Sequence, residues 1–375
     1  MSNSIIWIGM DVHASSINLA YAVDDGPIEH FGKICNSIES IRKTIKKLHK
    51  LGTDLHACYE AGPTGYVLHR QLKQLGVDCI VVAPSLIPKK PGYRVKTDKR
   101  DAKKLTQLYR AGFLTAVWIQ DEAHEAFREL LRTRERAVKD RTRARNRLTK
   151  FLLVIGRRQP SNIKSWGSLH FLWLNKQQFE HKAHQSVFVD YLSEVTHQNE
   201  RVLWLESELS SLLPSLDKKV QAVIHALQAL RGIAVLSAAT IVAEVGDLMR
   251  FPTASELMGY SGTVPSEHTT GQRQRKGRIT KTGNAHLRRV IGEAAKQYSR
   301  RPGIGAPLKR RQKGLSKEVR DIAWKAQKRL HQRYRSLRNK GKEANKASIA
   351  VGRELLGFIW AIGRQVEAEK ELQVA

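Results

Sequence analysis

The chain has few cysteines, few acidic residues and no long apolar run. Its 375 residues include three cysteines, Cys35, Cys58 and Cys79, and no two of them form a Cys-x-x-Cys pair. This pattern excludes a disulfide-stabilised scaffold and a zinc finger, and it favours a reducing compartment. No apolar run reaches the roughly 18 residues that a membrane span needs. Residues 1–10 lack the features of a secretory signal, so we expect a cytoplasmic protein that does not insert into a membrane.

The scarcity of acids leaves a large positive charge. The sequence has 65 Lys and Arg residues against 35 Asp and Glu, a formal net charge of +30. Residues 270–345 alone hold 24 of the basic residues and only four acids. A single basic run is usually a solvated helix face, but this one extends over a whole region. We therefore expect a polyanionic partner, with nucleic acid as the first candidate and strongly salt-dependent binding.

The first part of the chain alternates between strand and helix patterns. Residues 1–118 are predicted to form one mixed α/β domain whose sheet begins with antiparallel strands. The predicted strands are Ile5–Met10, 17–23, 31–34, 55–59 and 77–83, and the predicted helices are 37–50 and 64–75.

The middle of the chain, 119–217, is predicted to be helical. Two long helices at 121–155 and 187–213 flank a segment, 156–186, that is predicted to be irregular. Such a pair favours an antiparallel arm or coiled coil, which we interpret as a device for forming homo-oligomers.

The last part, 218–375, is predicted to be a mainly α-helical domain that ends in a helix at 347–365. Gly232 separates two helical patterns, 220–229 and 236–245. This helix-hairpin-helix-like segment either presents backbone N–H groups to phosphate or is an ordinary helical hairpin. A loop rich in Gly, Ser and Thr is predicted over 259–281.

Four acidic residues stand at positions where carboxylates are costly to bury. Asp11 follows the first strand and Glu60 follows the strand at 55–59, so both are predicted at one edge of the sheet. Asp98 and Asp101 are three residues apart and share one face of a helix start. Each residue alone fits a helix cap, a turn or a helix-dipole contact. Together they would form an oxygen cage for Mg²⁺ or Mn²⁺, an arrangement seen in RNase H-like nucleic-acid enzymes.

The sequence resembles the DEDD-type insertion-sequence transposases, or bridge-RNA-guided recombinases, over nearly its whole length. These proteins pair a RuvC-like domain of RNase H fold with a C-terminal transposase domain. The motifs that carry the resemblance are Ile8 to His13 (IGMDVH), Tyr59 to Gly65 (YEAGPTG), Lys96 to Ala102 (KTDKRDA), Val264 to Gly271 (VPSEHTTG), Ile279 to Arg288 (ITKTGNAHLR) and Glu354 to Trp360 (ELLGFIW).

The resemblance implies that Asp11, Glu60, Asp98 and Asp101 bind the metal ions. It also implies a hydroxyl nucleophile that forms a transient covalent bond to DNA. The family has a serine directly before the glycine of the C-terminal motif, whereas this chain has Thr270. Either Thr270 serves as the nucleophile, or a neighbour such as Thr269 or Ser266 replaces it, or strand cleavage is impaired.

The resemblance further implies donor and target DNA as substrates and a structured guide RNA as partner. Because one helical arm separates the acids from the hydroxyl in sequence, a composite site built by two protomers of a dimer or tetramer is expected. The predicted nucleic-acid-binding residues are Gly232, Arg273, Arg275, Lys276, Arg278, Lys281, Arg288 and Arg289.

Two other classes of function fit the residues alone. One is a metal-dependent, structure-selective nuclease of the Holliday-junction-resolvase type, which would use the four acids without a covalent intermediate. The other is a basic nucleic-acid-binding protein in which the acids are structural.

Overall fold

The computed structural model describes residues 4–88, 97–270 and 273–374. Lys96 and Gly271, which belong to the motifs above, lie outside these ranges. The chain divides into two compact units, Met1–Gln120 and Asp121–Ala375. The division lies two residues after the predicted end of the α/β domain. A separate helical domain over 119–217 stays a prediction.

The N-terminal unit contains a five-stranded mixed sheet. In the described residues its order is β3-β2-β1-β4-β5, with β1 antiparallel to β2 and parallel to β4. Strand β3 is antiparallel to β2, and β5 is parallel to β4. This confirms the predicted mixed sheet with an antiparallel start. The strands are β1 (Ile5–Val12), β2 (Ser16–Val23), β3 (Glu29–Cys35), β4 (Asp54–Glu60) and β5 (Asp78–Val82).

In the described part of this unit, the helices α1 (Ile38–Leu48), α2 (Val67–Gln74) and α3 (Asp98–Arg110) accompany the sheet. The predicted cap of α1 is confirmed, because the Ser37 side chain accepts a hydrogen bond from the Ser40 backbone N–H at 3.3 Å. The apolar residues of α1 and α2 pack with the strands in one buried core.

Two long helices, α4 (Glu122–Val154) and α6 (Lys182–Leu212), pack against each other in the second unit. Their pairing is antiparallel: Arg134 contacts Glu206, and Arg145 donates to Asn199 at 2.7 Å. The prediction of an irregular 156–186 is wrong in part, because α5 (Ser168–Asn175) lies within it and α6 starts at Lys182. Aromatic residues near α5, including Trp166 and Trp173, pack into an apolar cluster that orders this segment.

The rest of this unit is mainly helical, as predicted, and surrounds one large apolar core. Its last helix buries Leu355, Leu356 and Ile359 in this core. No described helix is both long enough and apolar enough to cross a bilayer. The helices are α7 (Lys218–Leu227), α8 (Val235–Val245), α9 (Ala254–Ser261), α10 (Ala285–Ala295), α11 (Ala306–Arg311), α12 (Lys317–Asn339) and α13 (Ala344–Val374).

The predicted loop over 259–281 is wrong. Helix α9 continues to Ser261, and two antiparallel strands follow, β6 (Pro265–Thr270) and β7 (Arg273–Ile279). The hairpin has no strongly apolar face, and most of its described side chains are exposed. Backbone hydrogen bonds therefore hold its two strands together. Such pairing does not require apolar and polar residues to alternate, so the sequence shows no strand pattern here.

Candidate functional site

A glycine places helix α3 on the sheet. A Cβ atom on Gly9 of β1 would overlap the carbonyl oxygen of Ala102 and lie 2.5 Å from the backbone nitrogen of Thr106. The Thr106 hydroxyl donates to the carbonyl oxygen of Ala20 in β2 at 3.1 Å. The backbone of α3 therefore rests directly on β1 and β2, which brings the start of α3 to the end of β1.

Asp11, His13 and Asp98 converge at this edge. The Nε2 atom of His13 lies 3.3 Å from Oδ2 of Asp11 and 3.5 Å from Oδ2 of Asp98. One ligand atom from each residue lies within 4.8 Å of the others. The buried Asn18 of β2 donates its amide to Oδ2 of Asp98 at 3.3 Å, which fixes that carboxylate.

The electrostatics of Asp11 show that other carboxylates are close. Burial is the largest influence on its pKa and raises it above the usual range. The negative charges of Asp98 and Asp101 act in the same direction, while His13 opposes them. Asp11 is thus a partly desolvated carboxylate facing two others, an arrangement that a bound cation would stabilise.

The fourth predicted acid is placed nearby but is not joined to this group. The parallel register pairs Met10 with Tyr59, so Asp11 and Glu60 are the next residues along adjacent strands. The Glu60 side chain is exposed and makes no hydrogen bond or ion pair within the described part of the chain. The structure therefore brings Asp11, His13 and Asp98 together, with Asp101 close enough for its charge to act on Asp11, and leaves Glu60 outside this group.

These residues fit a divalent cation. Carboxylate oxygens are the ligands that Mg²⁺ and Mn²⁺ prefer. Burial raises the pKa of Asp11, and the negative charges of Asp98 and Asp101 add to that effect. The imidazole of His13 adds one nitrogen ligand or, when protonated, a positive charge between the two carboxylates.

Sequence reasoning missed the roles of His13 and Asn18. His13 is two residues after Asp11, a spacing that carries little information without the fold. Asn18 stands out only as an amide within the otherwise apolar and small residues of β2.

The second candidate site is the β6–β7 hairpin. Thr270, at the end of β6, is exposed and pairs in the strand register with Arg273. The Thr269 hydroxyl donates to Oε1 of Glu267 at 2.8 Å. The Ser266 hydroxyl faces Gly277, where even a Cβ atom would overlap it. Of the three candidate hydroxyls, Thr270 and Thr269 are therefore the accessible ones.

The predicted cations of this region divide into two groups. Arg275, Lys276 and Arg278 of β7 and the following Lys281 are exposed. The Arg273 side chain lies outside what the structure describes. The exposed group therefore stays available to phosphates.

Arg288 and Arg289 instead contact the protein. Arg288 donates to the carbonyl oxygen of Ser261 at 2.8 Å. Arg289 donates to Oε2 of the buried Glu135 at 3.0 Å and to Oε1 of Glu293 at 3.1 Å. Their role in binding nucleic acid remains a prediction. Arg288 joins α10 to the end of α9, and Arg289 joins α10 to α4. Both contacts therefore support the base of the hairpin, by which we mean the end of α9 and the start of α10.

A buried carboxylate network also supports this base. Glu244 is 2% exposed and accepts two hydrogen bonds from Arg132 of α4, each at 2.7 Å. The Asn284 amide donates to Glu244 at 2.7 Å, and its oxygen caps α10 by accepting from the Leu287 backbone N–H. Burial raises the pKa of Glu244, but the bonds from Arg132 and Asn284 outweigh it and hold the pKa below its usual range.

Gly232 has φ +83, a left-handed conformation that favours glycine. A Cβ atom there would lie 2.6 Å from the carbonyl oxygen of Ala294. Close helix packing accounts for this glycine, and phosphate binding by its backbone stays a prediction.

Comparison with known proteins identifies relatives of both units. Residues 8–156 match the profile of a family described as transposase, DEDD_Tnp_IS110. Residues 224–311 match the profile described as transposase IS116/IS110/IS902 family. The first match covers the acid cluster, and the second covers the hairpin and its base.

Individual relatives are similar over almost the full chain. The putative transposase y4qE of Sinorhizobium fredii is 42% identical over 361 residues, 96% of this chain and 88% of that protein. The transposase for insertion sequence element IS1533 of Leptospira borgpetersenii is 34% identical over 344 residues, 90% of this chain and 98% of that protein. A probable family 20 transposase of Pseudomonas aeruginosa is 26% identical over 303 residues, 78% of this chain and 84% of that protein.

Proposed function

This chain belongs to the DEDD-type insertion-sequence transposases, enzymes that cut and rejoin DNA, and we propose that it uses both candidate sites to do so. The observation that carries the proposal is the convergence of Asp11, His13 and Asp98 at one edge of the sheet. An RNase H-like, RuvC-type fold is supported by the strand order β3-β2-β1-β4-β5, with Asp11 near the end of β1 and Glu60 at the end of β4.

The acid cluster holds the divalent cation, Mg²⁺ or Mn²⁺, in this proposal. Asp11 and Asp98 supply the main oxygen ligands, and Asp101 and Glu60 complete the set. When bound, the cation supplies Lewis-acid polarisation of a phosphoryl oxygen. Asn18 holds the Asp98 carboxylate in place, since its amide donates to Oδ2 of that residue.

The Thr270 hydroxyl is the proposed nucleophile. Its oxygen attacks the scissile phosphorus and forms a phosphodiester to the protein as the bond from phosphorus to the departing DNA oxygen breaks. The proton released by the threonine hydroxyl passes through water to that departing oxygen, which leaves as a DNA hydroxyl. The exposed Arg275, Lys276 and Arg278 hold the flanking phosphates. Thr269 is the second choice, because its hydroxyl already donates to a carboxylate, Glu267.

A guide RNA and an oligomer are further parts of the proposal. Basic residues far outnumber acids in 270–345. This segment carries more positive charge than contacts with a short DNA site require. The acids and the hydroxyl belong to different units of the chain, so we propose that two protomers supply the two halves of one site. RNA that co-purifies with the protein and disappears only with RNase treatment would support the guide. A preparation free of RNA that still recombines DNA would overturn it.

The test is covalent trapping. Purified protein is incubated with labelled DNA carrying the ends of its element and Mg²⁺, denatured, and examined for a protein–DNA adduct. We expect an adduct with the natural protein, more with Thr270→Ser, and none with Thr270→Ala or Asp11→Asn. Thr269→Ala is the matched control and should keep the adduct.

Three results would contradict this mechanism. Loss of the adduct in Thr269→Ala but not in Thr270→Ala would move the nucleophile by one residue. Cleavage without an adduct in both variants would assign the attack to water, which is the nuclease alternative. Full activity in Asp11→Asn would show that the reaction does not depend on a metal ion bound by Asp11.

A further inference from the structure

The N-terminal unit carries a groove along helix α3 that the proposed chemistry does not use. It has a volume of about 760 Å³, and its described lining contains four cations and no acid. Arg100, Lys103, Lys104 and Gln107 contribute to it from successive turns of α3, and Phe113, which follows that helix, also lines it.

Three of the four cations that line this groove differ from the fourth in their contacts. Arg100, Lys103 and Lys104 form no ion pair with a carboxylate within the described part of the chain. Arg100 is three residues before Lys103 and four before Lys104, spacings at which like charges repel and weaken a helix. Arg110 differs, since it donates to the carbonyl oxygen of Gly26 at 2.6 Å and so serves the fold. The unopposed charge therefore complements a polyanion.

The aromatic residue of the groove is exposed and follows a helix end held by backbone hydrogen bonds. Gly112, with φ +71, ends α3 in a Schellman motif, in which the Phe113 N–H donates to the Leu108 carbonyl at 3.0 Å. Phe113 is nevertheless 66% exposed, more than Trp118 or Trp204, the other exposed aromatic residues of the described chain. A solvent-facing aromatic ring in a cationic groove is the arrangement that stacks an unpaired base.

We propose that this groove binds single-stranded DNA, with Arg100, Lys103 and Lys104 on successive phosphates and Phe113 stacked on a base. The strand is single because bases within a duplex do not expose their faces to a side chain. DNA is the assigned occupant because the groove is formed by the same helix that carries Asp98 and Asp101, at which the family's substrate is cut. The assignment therefore rests on the proposed function of the acid cluster.

The test measures binding of a labelled 15-nucleotide oligothymidylate to the full chain by fluorescence anisotropy in EDTA. Replacing Arg100, Lys103 and Lys104 together by Ala should raise Kd at least tenfold. It should also make the slope of log K against log salt less steep by about 2, the value for three lost phosphate contacts on a single strand. The matched control, Arg42, Lys46 and Lys47 to Ala, removes the same charge from the exposed face of α1 and should change neither quantity.

The aromatic contact is tested separately. Phe113→Ala should raise Kd about tenfold without changing the salt slope, and Phe113→Tyr should restore binding. Trp204→Ala, which removes an exposed ring from the other unit, should have no effect. Because Phe113 is exposed, its variants should melt at the natural temperature, so a binding loss would not reflect unfolding.

Three results would overturn the proposal that this groove binds single-stranded DNA. One is equal effects of the two triple variants. Another is photo-cross-linking of 4-thiothymidine oligonucleotides only to residues beyond 120. The third is displacement of the oligothymidylate by a tenfold lower concentration of oligouridylate, which would assign the groove to RNA. These measurements require no DNA cleavage. An Asp11→Asn protein that is inactive but still binds the oligothymidylate in the groove would therefore show that DNA binding here is separable from the proposed reaction.

Discussion

Gly9 in β1 lies directly against the backbone of Ala102 in α3, with no room between them for a Cβ atom. The side chains of Asp98 and Asp101 are on the same helix, and Asp11 is two residues after Gly9 on the same strand. The distance between the strand acid and the helix acids is therefore set by a residue that has no side chain.

Gly9→Ala tests this relationship. We expect α3 to move away from the sheet, the free energy of unfolding to fall by about 1–3 kcal/mol, and cleavage to fall at least tenfold. Denaturant titration and cleavage assays measure the two effects. Gly259→Ala in α9 is the control, because a Cβ atom there meets nothing within 4 Å. Natural stability and activity in Gly9→Ala would show that α3 can shift without disturbing the acids.

Local sequence patterns predicted where the N-terminal acids lie on the strands and on α3, but not which side chains they contact. Strand ends placed Asp11 and Glu60, and helical spacing placed Asp98 with Asp101, since both rules are local. His13 and Asn18 were missed because their contacts with Asp98 join residues about 80 positions apart. Only the docking of α3 on β1 and β2 brings them together.

The hairpin was missed for a different reason. Strand prediction depends on a buried, alternating face, and β6 and β7 have exposed polar and basic side chains instead. The helical arm was predictable because its helices are long, whereas the short helix α5 depends on tertiary contacts of Trp166 and Trp173.

Asn18→Ala should weaken divalent-cation binding about 10- to 100-fold, because the Asp98 carboxylate loses the amide that orients it. Titration with Mn²⁺, followed by its magnetic resonance signal, measures the affinity directly. Asn339→Ala, which removes an amide from the end of α12, provides the control. Unchanged Mn²⁺ affinity in Asn18→Ala would mean that this hydrogen bond does not support a metal site.

The Glu244–Arg132 pair should be strongly coupled. Arg132→Leu leaves a carboxylate that is 2% exposed without its cation, so we expect a loss of about 3–5 kcal/mol of unfolding free energy. The double variant with Glu244→Leu should lose clearly less than the sum of the two single variants. Denaturant unfolding of all four proteins gives the coupling energy. Additive losses would show that the two side chains stabilise the fold independently.

Glu135 should make stability depend on pH. Burial alone would raise its pKa, but bonds from His286, Lys139 and Arg289 outweigh it and lower the pKa to about 2 from the ordinary 4.5. The unfolded chain therefore takes up this proton at higher pH than the folded protein, so the stabilisation is complete above pH 4.5 and is lost towards pH 2.

The difference in unfolding free energy between the natural protein and Glu135→Gln isolates this carboxylate from all others. We expect it to be about 3 kcal/mol at pH 6 and to shrink by about 2 kcal/mol at pH 3. Glu293→Gln is the control: Glu293 also pairs with Arg289 but is 62% exposed, so its difference should stay below about 1 kcal/mol. A difference for Glu135→Gln that is constant from pH 6 to pH 3 would mean that the bonds from α10 do not hold this carboxylate ionised. The base of the hairpin would then depend on the Glu244 network alone.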